Sequence, residues 1–453
     1  MEYRASPPGR FCSVSVILSE AKDLCILPQA EDFRFGHCAQ QNSSSHRCIP
    51  CHSRESNSND DIFGLGTGGA LKIGITCYPT YGGSGVVATE LGLELARRDH
   101  EIHFISYSQP IRLTGPEPNI HYHEVEVTRY PLFEYPPYDL ALATRMAEVS
   151  QLYELDLLHV HYAIPHSVSA LLAKQMLAAT PPRKNLPFVT TLHGTDITLV
   201  GLDRSYLPIT RFSIEQSDGV TAVSQYLKNR TLNIFDIKNQ IEVIPNFVNC
   251  DEYVRKTEWL DKRFEYVSND ERLLVHLSNF RPVKRVLDVI EIFDRVLKKI
   301  PSKLLLIGDG PDRSQAEWLA VQKGIQKHVL FLGKQDQIRE KLAISDVLLM
   351  PSELESFGLA ALEGMACEVV PIATRTGGVP EVIEHGVNGF MADVGDVETM
   401  ARYAIELLGD ESELRAMGKR ARASAQAKYC ASKIIPLYED FYRKVLEQSS
   451  KSS

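Results

Sequence analysis

The sequence predicts an α/β protein made of two Rossmann-like, doubly wound parallel-sheet domains facing each other across a cleft. Three observations lead there. From Leu71 onward, short apolar runs rich in Val and Ile alternate with amphipathic stretches. That pattern suits strands buried on both faces of a parallel sheet and joined by helices. The alternation pauses in a charged stretch, Cys250 to Arg272, and then starts again. Finally, the polar and glycine-rich segments nearly all follow directly after a predicted strand. In open α/β sheets ligands bind at that end.

In the first half the predicted strands are Leu71–Tyr78, Glu101–Tyr107, Leu157–Tyr162, Pro187–His193, Gly219–Ser224 and Ile241–Asn246. Between them, Val86–Arg98 repeats Val87, Leu91 and Leu95 every four residues, one face of a helix. Leu140–Leu152 and Ser167–Leu177 read the same way. In the second half the strands are Arg272–Ser278, Lys303–Gly308, Val329–Gly333, Asp346–Pro351, Val369–Thr374 and Gly389–Val394. Beyond Met400 the chain reads as helical to its end. Such alternation implies right-handed crossovers. The expected domains span residues 71–250 and 251–430, with a terminal helix, 431–453, returning to the first.

The totals narrow the class. The chain has 453 residues, 44% of them hydrophobic and 24% charged, so each half can bury a core of its own. A formal net charge of −9 and the lack of a long basic run argue against a nucleic-acid partner. A local cationic pocket can still take a small anion. No apolar run reaches the roughly 18 residues of a membrane helix. Val14–Leu18 is short, with Ser19, Glu20 and Lys22 directly after it, which makes a poor export signal. The expectation is a cytoplasmic protein with no stable membrane insertion. The oligomeric state, a homodimer included, stays open.

Residues 1–70 hold Cys12, Cys25, Cys38, Cys48 and Cys51, while the remaining four cysteines are scattered too widely for a disulfide framework. The run Cys48-Ile49-Pro50-Cys51-His52 formally fits a haem c attachment site, or a zinc site with His46. No export signal supports the first, and no second ligand pair supports the second. The segment reads as a disordered extension, or as a start codon assigned too early.

Several constellations carry chemistry. Seven residues separate Glu355 from Glu363, around a small-residue loop that enters a helix near Leu359. The backbone N–H groups of Phe357, Gly358 and Leu359 would start that helix unpaired, suited to an anionic group. A carboxylate at Glu363 can accept two hydrogen bonds from a diol, and Glu355 one from a sugar hydroxyl. Arg281 and Lys284 follow Ser278 at the end of a strand and could stabilise charge on a departing diphosphate. A plainer reading of each remains: acids at a helix start, and a solvated basic surface run.

Gly82-Gly83-Ser84-Gly85 lets the backbone approach a ligand closely, but it is not G-x-G-x-x-G. The second strand ends in Ser106-Tyr107-Ser108 rather than the acid that holds a ribose in a dinucleotide fold. No G-x-x-x-x-G-K-[ST] occurs. An NAD enzyme and a P-loop nucleotidase both lose support. His193, followed by Gly194, Thr195 and Asp196, closes a strand and joins a polar cluster at the cleft. His121 and His123, and likewise His159 and His161, alternate on strands and read as ordinary strand residues. No metal site is expected in the globular part.

Together, Glu355, Glu363, Arg281, Lys284, the glycine segment and Gly377-Gly378-Val379-Pro380-Glu381 resemble the retaining glycosyltransferases of family four, which have the GT-B fold. The resemblance covers Leu71 to the C-terminus, and its specificity lies in the order and spacing of the motifs. Segments Ile73–Gly92, Phe104–Leu113, Leu158–Ser167, Leu192–Gly201 and Ile244–Asn249 are similar to a branch of that family which starts bacillithiol biosynthesis.

That resemblance implies UDP-N-acetylglucosamine as donor, L-malate as acceptor, and UDP as product. It puts Glu363 on the uridine ribose, Arg281 and Lys284 on the diphosphate, and Glu355 with the Phe357–Leu359 backbone on the donor sugar and β-phosphate. Gly83 and Ser278 belong to the same donor set. His193 should lie against the sugar, and His193, Arg281, Lys284 and Glu355 form the catalytic set. Ser84, Tyr162 and Arg211 are the acceptor candidates, Arg211 because a guanidinium suits a dicarboxylate. The resemblance favours retention by front-face attack. A double displacement would need a carboxylate under the anomeric carbon, for which Asp196 is the remaining candidate. No cofactor is implied. The alternatives are a family-four transferase with another saccharide or lipid acceptor, an idle nucleotide-sugar-binding protein, and a sugar-nucleotide epimerase of similar build.

Overall fold

The computed structural model describes residues 69–452, except 81, 114, 129 and 130. The haem, zinc and extension readings of residues 1–68 lie outside the described residues. The described residues all belong to one compact unit.

Its first sheet has seven strands: β1 Lys72–Thr76, β2 Glu101–Ser106, β3 Ile120–Glu124, β4 Leu157–His161, β5 Phe188–Leu192, β6 Gly219–Ala222 and β7 Ile241–Val243, in the order β3-β2-β1-β4-β5-β6-β7. The second has six: β8 Arg272–Leu277, β9 Ser302–Ile307, β10 Val329–Gly333, β11 Val347–Met350, β12 Val370–Thr374 and β13 Phe390–Ala392, in the order β10-β9-β8-β11-β12-β13. Every described pairing between these strands is parallel. β4, β5 and β12 are buried along their whole length, as both-face coverage requires. In each sheet the strand order reverses beside the first strand, at β1/β4 and at β8/β11. A crevice opens at such a switch point, beyond the carboxyl ends of the strands.

The helices cover the sheets with one apolar face each. In Val286–Leu297, Val286, Val289, Ile290, Phe293 and Val296 are all fully buried, the i, i+3, i+4, i+7 repeat of an amphipathic helix. Each such side chain stabilises the fold by about 1.5–3 kcal/mol. The terminal helix, Ala431–Ser452, buries Ile434, Ile435, Tyr438, Phe441, Tyr442 and Val445 in the cluster that holds Ile73, Ile75 and Leu91. Its Tyr442 hydroxyl meets His159 Nδ1 at 2.7 Å. The helix thus lies on the first sheet.

One local reading needs correcting. The helix expected from Val86 begins at Gly83, so Gly83, Ser84 and Gly85 are its first turn rather than a loop before it. A Cβ on residue 85 would come within 2.5 Å of the Tyr78 carbonyl oxygen and 2.8 Å of that of Thr80. Only glycine lets the helix start this close to the exit of β1.

Candidate active site

The two switch points face one another across a cavity of 660 Å³. The first domain contributes Gly83 and Ser84 from the helix start, Tyr162 from the end of β4 and His193 from the end of β5. The second contributes Ser278, Arg281 and Lys284 from beyond β8, and Glu355, Phe357, Gly358, Leu359 and Glu363 from beyond β11. Arg211 is not among the lining residues. It lies on the helix Leu207–Gln216, where it donates to the Asp236 carbonyl at 3.2 Å and pairs with Glu215 at 3.5 Å. Its expected place at the acceptor is therefore corrected. Its i, i+4 partner Glu215 holds it on the helix surface.

Two helix starts converge on the cavity. Gly358, at φ +97°, precedes the helix Leu359–Ala366. A Cβ on Gly83 would lie 3.9 Å from the Leu359 side chain, so the start of the helix Gly83–Ala96 faces it directly. Both carry unpaired N–H groups and the positive end of a helix dipole. Phe357 supplies backbone alone: its ring is buried and packs edge-on against Tyr429.

Around these starts the cations are unevenly engaged. Lys284 Nζ lies 2.5 Å from Glu355 Oε1, which also accepts from Ser352 Oγ at 2.8 Å. Arg281 is exposed to the cleft and forms no salt bridge among the described residues. Ser278 Oγ meets His276 Nε2 at 2.8 Å and caps the Phe280 N–H, which fixes the turn leading to Arg281. A Cβ on Gly377, at φ +57°, would stand 1.7 Å from the Glu355 carbonyl oxygen. The Gly377-Gly378 pair is thus what lets the Glu355 loop sit where it does.

On the facing wall, His193 Nε2 meets His161 Nδ1 at 2.8 Å, leaving Nδ1 as the other ring nitrogen of His193. His159, His161 and His193 stack in a column, with ring centroids 4.5 and 5.0 Å apart. Burial, reinforced by His166, pushes His193 down to about 3, so the ring is neutral at physiological pH. Asp196 is also buried, and burial raises its carboxyl to about 6 even though the N–H groups of Ala163, Gly194 and His193 bond to it. Those three donors make it the organiser of the loop, not a carboxylate aimed at a sugar. Tyr162 sits at φ +89°, a costly backbone for a side chain that then points into the cavity. Burial raises its hydroxyl, and the neighbouring Ser84 and Thr195 side chains work against that rise.

Comparison with known proteins agrees with this architecture. The family model described as Glycosyltransferase Family 4 matches residues 81–252, and that for group 1 glycosyl transferases matches residues 258–424. The N-acetyl-alpha-D-glucosaminyl L-malate synthase of Bacillus anthracis is 51% identical over 376 residues, 83% of this chain and 97% of the relative. The chain belongs to glycosyltransferase family 4. Among solved structures, a glycosyltransferase from Rickettsia africae ESF-5 matches with TM-score 0.68 and 22% identity, over 83% of this chain and 99% of that one. HepE of Anabaena, in complex with UDP and glucose, matches with TM-score 0.69 and 19% identity, over 82% and 98%. These two likenesses concern the fold, which is GT-B.

Family motifs alone do not single out everything in this transferase's cleft. Arg112, Asn246 and Asn279 line it as well, and Asn246 and Asn279 each leave a buried side-chain oxygen without a partner. Tyr253 donates to Glu363 from the connection after β7. Arg112 and Asn246 stand inside the segments that carry the family likeness, but nothing in their spacing set them apart from neighbours. No described helix is long and apolar enough to cross a membrane.

Proposed function

We propose that this family-4 transferase moves N-acetylglucosamine from UDP-N-acetylglucosamine to the hydroxyl of L-malate with retention of configuration, the first step of bacillithiol biosynthesis. The observation that carries this is the 51% identity to the Bacillus anthracis malate synthase across nearly its full length. The cleft fits the chemistry: cations and two helix starts converge on one cavity. Residues 71–250 form the acceptor side and 251–430 the nucleotide-sugar side, with 431–453 bracing the former. Charged, water-soluble substrates suit a cytoplasmic enzyme.

In this reading Glu363 takes the ribose diol, and Arg281 and Lys284 take the diphosphate. Glu355, Gly83, Ser278 and the Phe357–Leu359 backbone hold the β-phosphate and sugar. His193, neutral, offers Nδ1 to the sugar. Ser84, Tyr162 and the N–H groups at the start of the helix Gly83–Ala96 receive malate. A helix start suits a carboxylate, and it takes over the role first expected of Arg211.

The malate hydroxyl oxygen bonds to the anomeric carbon on the face from which UDP departs. The bond from that carbon to the β-phosphate oxygen breaks, its electron pair stays on UDP, and the hydroxyl proton passes to the departing phosphate. The chain orients both partners and stabilises the growing charge. The test is incubation with UDP-N-acetylglucosamine and a panel of hydroxy acids, followed by mass spectrometry and the anomeric coupling constant of the product. The α-linked malate glycoside is expected. Malate left unmodified while another acceptor gains the sugar refutes the assignment.

A further inference from the structure

Away from the cleft, the free edge of the first sheet carries another group of ligating side chains. The parallel register sets His103 on β2 opposite His121 on β3, and Glu101 lies two residues before His103 on the same face. Glu101 Oε1 is 3.1 Å from His103 Nε2 and 3.4 Å from His121 Nε2, and the three atoms lie within 4.8 Å of one another. Bonds of about 2.0–2.1 Å to a tetrahedral cation put neighbouring ligand atoms roughly 3.3 Å apart, so this spacing is that of a coordination edge.

The surroundings also resemble those of a metal site. His103 Nδ1 meets His123 Nε2 at 2.9 Å, which fixes the ring and leaves Nε2 directed at Glu101. Ligating histidines are held by their second nitrogen in this way. Tyr153 packs on His103, His121 and His123 and walls the group on one side. Lys72 approaches the other carboxylate oxygen, Glu101 Oε2, at 3.7 Å and leaves Oε1 to the histidines. The side chain of His103 is fully buried, while those of Glu101 and His121 are 33% and 46% exposed. The group is anchored on one side and open to solvent on the other. None of its residues lines the cleft.

The geometry points to Glu101, His103 and His121 as a binding site for a borderline divalent transition cation such as zinc, with solvent in the fourth position. Two imidazoles and one carboxylate suit zinc, cobalt or nickel and not magnesium or calcium, which take oxygen ligands. A bound ion would cross-link β3 to β2 and so stabilise the free edge of the sheet.

The test uses the full untagged chain, stripped with EDTA and desalted, then titrated with zinc by calorimetry and unfolded thermally with and without zinc. Wild type should bind one equivalent more than His121→Ala and than Glu101→Gln, and zinc should raise its unfolding midpoint more than theirs. Losing a direct ligand should weaken this equivalent beyond the roughly 10–100-fold typical of a lost outer partner. Comparing variants with wild type removes any contribution from cysteines and histidines elsewhere. Equal stoichiometry and equal midpoint shifts in all three proteins, or no zinc uptake by wild type, would overturn the assignment. His121 is half-exposed on an edge strand, and Glu101→Gln keeps a hydrogen-bond acceptor, so the two variants check each other for folding.

Discussion

Arg112 donates a 3.1 Å hydrogen bond to Glu363 Oε1, the same oxygen that accepts the Tyr253 hydroxyl at 2.7 Å. Arg112 belongs to the segment after β2, and Glu363 to the helix Leu359–Ala366, so the pair joins the two domains at the wall of the cleft. Glu90 takes a second arm of the guanidinium at 3.1 Å. Burial works against the Arg112 charge, and the carboxylates of Glu363 and Glu90 outweigh it, holding the guanidinium firmly protonated. Both contacts fall on Oε1, so the proposed ribose contact of Glu363 would use Oε2.

Replacing Arg112 should therefore act on both stability and donor binding. Breaking a buried pair from one side typically costs about 3–5 kcal/mol, because the remaining charge is stranded. Arg112→Met is expected to lower the unfolding midpoint and to weaken UDP binding by calorimetry. Glu363→Ala should weaken UDP-sugar binding, and the double variant should lose less than the sum of the singles. Additive losses would mean that the contact carries no coupling.

Lys284→Ala should lower kcat about 100-fold or more while changing donor affinity far less, since the charge it answers grows on the leaving group. Its present partner, Glu355, would lose a 2.5 Å contact at the same time. Wild-type kcat in Lys284→Ala removes the lysine from the mechanism.

In the proposed reading, Arg281, Lys284 and two helix starts supply the positive charge that stabilises the departing diphosphate. EDTA-treated enzyme is expected to keep its initial rate. Complete loss of activity, restored by magnesium, would contradict this.

Gly194 is one point of close approach between the two lobes. At φ +123°, a Cβ there would meet Ser356 Oγ at 1.7 Å. Gly194→Ala is expected to leave a folded protein whose kcat/KM falls at least tenfold, since strain of about 1–3 kcal/mol adds to the clash. Ser356→Gly in the same chain should recover part of the loss. Unchanged kinetics in Gly194→Ala would show that the lobes work further apart.

Acid should destabilise the protein early. Burial pushes His159 and His193 down to about 3 and His166 to about 4, from an ordinary 6.5. Each binds fewer protons folded than unfolded in that window, so its contribution is complete above pH 6.5 and is lost as pH falls. Asp196, raised to about 6 by burial, opposes this between about pH 4 and 6, but three histidines outnumber it. The unfolding midpoint should fall between pH 7 and 5. A level or rising midpoint over that interval would show that the rings are not held neutral.

Much of this was legible in the chain. Each apolar run read as a strand overlaps one of the strands observed, with β9 starting one residue ahead of its run, because burial on both faces writes itself locally as unbroken Val, Ile and Leu. The helix start at Gly83 was less legible: glycine is a poor helix former, and only its contacts with Tyr78 and Thr80 explain it. Arg211 was misplaced for the opposite reason. Its charge suits a dicarboxylate, but nothing local reveals that Glu215 and the Asp236 carbonyl already hold it.

The sequence by itself determined the two sheets, the loops that carry polar residues, and the Glu355–Glu363 and Arg281–Lys284 pairs, all features written within a few residues of chain. Tertiary structure decided what those residues meet. Arg112 and Glu363 are 251 positions apart, Gly194 and Ser356 belong to opposite lobes, and Tyr253 reaches Glu363 from the connection between the domains. Periodicity and propensity act over one turn or one strand. Contacts between distant segments exist only once both sheets have formed and their switch points face each other.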